Sequence, residues 1–89
     1  MIKQIDFPIE EIKQLKNKSR IITTRVSREY NRYHQGDILK TSWEKCYIVD
    51  SVQKINCIEN HPYYQNLTTK QIQLISKYKK IDVLTLKKL

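Results

Sequence analysis

The amino-acid sequence predicts an α+β domain, a small, partly open and mostly antiparallel β-barrel flanked by two helices. Three observations carry that expectation. A β-branched stretch from Arg20 to Ser27 is followed by further short apolar runs, so strands dominate. Two segments open with helix-start signals, Pro8 ahead of Ile9 and Thr68-Thr69-Lys70-Gln71 ahead of Ile72. The 89 residues contain no internal repeat, linker or low-complexity tract, so residues 1–89 form a single domain with one core.

The elements follow in order. Ile2, Ile5 and Phe7 alternate with Lys3, Gln4 and Asp6 as a short extended entry. Pro8 then starts a helix, where its missing N–H is harmless, and Ile9, Ile12 and Leu15 give it a narrow apolar stripe ending near Asn17. Glu10 and Glu11 near its start and Lys13, Lys16 and Lys18 towards its end suit the helix dipole. Arg20 to Ser27 is the first full strand, with Ile21, Thr23 and Arg25 on one face and Ile22, Thr24 and Val26 on the other. Residues 28–35 lack an apolar period and read as a loop. Gly36-Asp37 leads a strand through Ile38, Leu39 and Thr41 to Trp43, and Glu44-Lys45 turns a hairpin into a longer strand from Cys46 to Ile58. Asp50-Ser51 marks a bulge within that strand. After the Asn60-His61-Pro62 turn, the capping box opens a helix that buries Ile72, Ile75 and Tyr78, and Ile81, Val83, Leu84 and Leu86 close the sheet. The resulting order is helix, strand, strand, strand, helix, strand.

Charge narrows the function. The chain carries 17 Lys and Arg against 9 Asp and Glu, a formal net charge of +8. Between residues 13 and 33, Lys13, Lys16, Lys18, Arg20, Arg25, Arg28 and Arg32 face only Glu29. Between 67 and 89, Lys70, Lys77, Lys79, Lys80, Lys87 and Lys88 face only Asp82. If these segments meet in space they make one electropositive face suited to a polyanion. Composition alone fits equally well a lysine-rich surface that only maintains solubility.

Several chemistries find no residues here. One glycine rules out a glycine-rich phosphate loop, the carboxylates are scattered, and neither His34 nor His61 has a nucleophile in a recognisable active-site context. Each histidine reads as a surface or turn residue. Cys46 and Cys57 form no CxxC pair and the histidines give no ligand spacing, so neither a metal nor another cofactor is expected. The two cysteines read as reduced thiols, which with the absence of a signal peptide or membrane span points to the cytoplasm.

Arginine and tyrosine are the better candidates. Arg20, Arg25, Arg28 and Arg32 offer planar donor forks for phosphate, and Tyr30 and Tyr33 alternate with them in the loop, a pairing that suits unstacked bases. The same residues fit a structural alternative, with Arg25 paired to a buried acid such as Asp37 and the tyrosines covering the barrel mouth. Tyr63-Tyr64 is a second aromatic pair, and Trp43 reads as packing.

At Arg20-Ile21-Ile22-Thr23-Thr24-Arg25 and Gly36-Asp37-Ile38 the chain resembles the ASCH domains, small members of the PUA-like superfamily. Their signature there is a Lys-Thr-x-Thr-x-Arg-like strand, a variable loop and Gly-Asp-hydrophobic. The resemblance continues through the helix entry at Leu67-Thr68 to Tyr78 and the strand Ile81 to Leu86, so it spans nearly the whole chain. It implies a PUA-like barrel with a cleft between barrel and helices that binds RNA or modified nucleosides. Some members remove an acyl group from acetylated cytidine with a Lys-Thr-Glu arrangement. The threonine matches Thr23, but the lysine matches Arg20, which stays protonated. The acid's place holds His61-Pro62-Tyr63-Tyr64, with Glu59 displaced.

The expected function is therefore binding of nucleic acid, RNA above DNA. The expected contacts are Arg20, Thr23, Arg25, Arg28, Tyr30, Arg32, Tyr33 and Tyr63, with Lys79 and Lys80 on phosphate. Two alternatives stand beside it. One is an amidohydrolase acting on a modified nucleoside through Thr23 and Glu59. The other is a phage- or mobile-element-type protein that docks on an acidic surface of a host protein.

Overall fold

The strands are β1 (Ile2–Gln4), β2 (Arg20–Val26), β3 (Ile38–Lys40), β4 (Cys46–Ile55) and β5 (Ile81–Lys88), with helices α1 (Ile9–Leu15) and α2 (Thr69–Ile75). Single turns of 3₁₀-helix lie at Ser27–Glu29, Ile58–Asn60 and Tyr64–Asn66. This is a computed structural model describing residues 2–89. All five strands join one mixed sheet in the order β1-β3-β4-β5-β2.

The last strand in sequence is central in space. β5 pairs antiparallel with β2 on one side and β4 on the other, and Ile81 through Leu86 are all buried. Burial without alternation is what a strand covered on both faces shows, here with Asp82 and Thr85 among the buried positions. Leu84 and Leu86 enter the main core with Ile5, Ile21, Tyr33, Leu39, Tyr47 and Val49, against which α1 packs Leu15. Ile81 and Val83, at the alternate positions, are buried on the second face.

The bulge predicted at Asp50-Ser51 is present: Val49 pairs with Leu86 and Ser51 with Thr85, leaving Asp50 as the extra residue. Its consequence is a change of face along β4. Tyr47 and Val49 face the core before the bulge, whereas Val52 and Lys54, opposite Leu84 and Asp82, share that face after it. The Thr68–Gln71 capping box also forms, with the threonine hydroxyl and the glutamine amide each satisfying the other's backbone N–H.

The structure differs from expectation in three places. Ile2–Gln4 is a strand in its own right, paired parallel with β3. The backbone ladder does not close into a barrel, because β1 and β2 are its two edges. A side chain spans the gap instead. Arg25, on β2, donates from Nη1 to the carbonyl oxygen of Asp6 at 2.9 Å, and its guanidinium lies 4.6 Å from the centre of the Phe7 ring. The strand expected from Gly36 to Trp43 is also shorter, because Thr41 turns the chain with its hydroxyl bonded across the hairpin to Lys45. Glu44 takes a φ of 61° in that turn. Gly36 sits at φ 91° with open space around it, so backbone conformation, not crowding, calls for glycine.

Candidate nucleic-acid interface

Register places three charged residues in one row across the core face: Arg25 on β2 opposite Asp82 on β5, and Asp82 opposite Lys54 on β4. The row lies at the sheet end from which residues 27–35 leave and into which the turn after α2 returns. Each charge finds a different partner, and those partners divide this end into a sealed half and an open half.

The sealed half belongs to Arg25. It is 7% exposed and donates from Nη1 to both oxygens of Glu29, at 2.9 and 3.0 Å, and from Nε to the Thr23 hydroxyl at 3.1 Å. Tyr33 is buried and donates to the same Glu29 carboxylate. Burial first, and then that carboxylate, push the Tyr33 phenol up to about 12. Arg25 therefore pairs with an acid, as the structural alternative expected, but the acid is Glu29, whose side chain is only partly buried. Asp37 instead pairs with Lys3 at 2.8 Å, which with the His34 N–H holds its carboxyl below the usual range.

The open half belongs to Asp82. Its fully buried carboxylate accepts from Lys54 Nζ at 2.8 Å and from the Asn31 N–H at 2.7 Å. Lys54 also reaches Asn31 Oδ1 and lies 4.4 Å over the Tyr30 ring. Ser27 and Asn31 take φ of 59° and 66°, so the loop turns sharply on either side of Tyr30. Two adjoining cavities of about 340 and 500 Å³ share Tyr30 and Lys79 as walls. The first also has Lys54, Asn56 and Asn60, the second Ser27, Lys77, Tyr78 and Lys80. Lys77, Lys79 and Lys80 pair with no carboxylate among the described residues.

Of the residues singled out in the sequence, this groove collects Tyr30, Lys79 and Lys80, with exposed Arg28 following Ser27. Arg25 and Tyr33 belong to the interior, and Thr23 is half-buried with its hydroxyl already engaged. Arg32 is exposed beside the Tyr33 ring. Arg20 stands at the other end of β2, opposite Lys87 and roughly 20 Å along the strand from Val26. The sequence reading missed Lys54, Asn56, Asn60 and Lys77. Only Lys77 had a visible signal, the basic run before β5.

His61 corrects the surface or turn reading. It is 5% exposed: Nδ1 accepts the Tyr63 N–H at 3.0 Å, so Nε2 carries the proton that bonds the Thr24 hydroxyl at 2.9 Å. This bond seats the 58–66 segment on the second face, the side away from Thr23, and no hydrogen bond joins Thr23 to exposed Glu59. Tyr63 lies edge-on to His61 and outside the groove walls.

Burial lowers the His61 pKa below its ordinary 6.5. The unfolded chain therefore takes up this proton first as pH falls, and folding is weakened below about pH 6.5. Urea unfolding is expected to show lower stability at about pH 5 than at about pH 7, with His61→Gln removing most of that difference. Unchanged stability across this window would contradict the buried neutral ring.

No helix among the described residues is long and apolar enough to cross a membrane, and they contain no cluster of side chains able to hold a metal. Both cysteines are free. No family model and no curated protein matches the chain. Among solved structures, the crystal structure of the hypothetical protein PH0355 is similar over 100% of both chains, with a TM-score of 0.62 and 13% sequence identity. That likeness establishes a shared α+β fold.

Proposed function

We propose that this chain is a PUA-like module of ASCH type that binds single-stranded RNA in the groove between Tyr30 and the Lys77–Lys80 turn. One observation carries the reading: three ammonium groups with no carboxylate partner among the described residues and a fixed aromatic ring line the same open groove. Free cations attract the phosphate backbone, and an aromatic face accepts unstacked bases. Arg28 extends the basic surface from the neighbouring loop. The nucleoside amidohydrolase alternative has less support, since Thr23 lies on the core face of β2 whereas the segment carrying Glu59 packs against the other face.

Fluorescence anisotropy with an unstructured RNA tests the proposal. Three phosphate contacts predict that affinity falls about 20-fold between about 50 and 200 mM salt. Arg28→Ala combined with Lys79→Ala should weaken binding and flatten that dependence. Absence of binding at about 50 mM salt would sink the reading. A partner that co-purifies equally well after nuclease treatment would favour an acidic protein in its place.

A further inference from the structure

We infer that the two lobes of the groove divide a short unpaired segment between them, its phosphates over Lys77, Lys79 and Lys80 and one base edge against Asn56 and Asn60. The inference rests on the RNA-binding reading and adds to it a base-reading subsite. The two lobes, at about 340 and 500 Å³, are in the size range of small-molecule pockets.

Their chemistry differs. In the larger lobe none of the three lysines has a carboxylate partner among the described residues, so a phosphate there meets uncompensated charge. In the smaller lobe the charge of Lys54 is already balanced by Asp82, so Lys79 at the shared wall is the one uncompensated cation and the amides of Asn56 and Asn60 supply neutral polarity. A phosphate gains most in the larger lobe, and a neutral heterocycle loses least in the smaller.

The amides are arranged for an edge. Asn60 Nδ2 donates to Asn56 Oδ1 at 3.3 Å, leaving the Asn60 carbonyl oxygen to accept and the Asn56 NH₂ group to donate. Exchanging oxygen and nitrogen on both side chains reverses their order but again leaves one of each. A donor beside an acceptor is what the Watson–Crick edge of an unpaired base can match, and bases differ in the order they present. Tyr30, with Lys79, is common to both lobes. Lys54 holds one side of its ring, so the ring is already placed when a base arrives and little side-chain freedom is lost.

The test is anisotropy of the full chain with short oligoadenylate, oligocytidylate and oligouridylate. The wild type should prefer one of them about fivefold or more. Asn56→Ala/Asn60→Ala should bring all three within about twofold without altering the salt slope. Lys77→Gln/Lys79→Gln/Lys80→Gln should weaken all three and reduce the slope by about 2, with the order of preference kept. Equal binding of the three by the wild type, or a preference that survives the double asparagine change, overturns the base subsite and leaves RNA binding standing. If none of the three binds at low salt, the RNA reading itself falls and takes the subsite with it.

Discussion

Arg25→Ala is expected to remove about 3 kcal/mol of stability and to leave the RNA affinity of the folded protein within about twofold. The guanidinium holds Glu29, the Thr23 hydroxyl and the Asp6 carbonyl at once, and it covers Phe7 where the two edges of the sheet fail to pair. Removing it takes this donor from the Asp6 carbonyl and leaves the Glu29 carboxylate with only the Tyr33 hydroxyl. Glu29 is one-third exposed and can turn towards water, which keeps the cost below that of a fully enclosed ion pair. A domain of this size has a total stability of roughly 4–13 kcal/mol, so the loss is a large fraction of it. Arg25→Lys should recover only a small part, because an ammonium cannot reproduce the planar fork. The readout is a lower urea midpoint with unchanged slope, alongside RNA titration in the absence of denaturant. Lost binding with unchanged stability would instead make Arg25 a ligand contact.

That expectation shows where sequence reasoning reached and where it stopped. Helix starts, the bulge and the long strands were legible because each leaves a local mark: a proline, a capping box, a broken alternation. The parallel pairing of Ile2–Gln4 with Ile38–Lys40 leaves none, since a three-residue alternation does not name its partner. Tyr33 is buried from a stretch without apolar period, so its position depends on Glu29 and the core around it. The groove was legible in part. Lys79 and Lys80 stood out as a run and Tyr30 through its arginine neighbours. Lys54 did not, because its place beside Asp82 follows from the register of β4 with β5 and from the bulge that turns it to the core face.

The sealed and open halves also separate stability from recognition within one row of the sheet. Arg25 is itself buried, has its charge met by partly exposed Glu29, and closes the fold. Lys54 has its charge met from beneath by Asp82 and remains at the groove wall, with its side chain 47% exposed. Seven positions along β2, from Arg20 to Val26, thus serve two ends of the molecule, and the arginines of one motif do not form one binding surface.

Asp82→Asn should separate stability from affinity most sharply, lowering the first while raising the second. The carboxylate serves two donors, Lys54 and the Asn31 N–H, from a fully buried position. An asparagine keeps one acceptor oxygen and turns an NH₂ group towards the other donor, so one donor loses its bond and the cost is about 2–3 kcal/mol. Lys54 can escape to solvent, which limits the loss. Its freed charge then joins the groove, and one additional phosphate contact steepens the salt slope by about 0.7 and tightens low-salt binding by on the order of fivefold. The same release takes Lys54 off the Tyr30 ring, so discrimination among oligonucleotides should shrink as overall affinity grows. Urea unfolding and anisotropy on the same protein measure both sides. Weaker binding with stability intact would mean that Asp82 contacts the ligand directly, which its complete burial argues against.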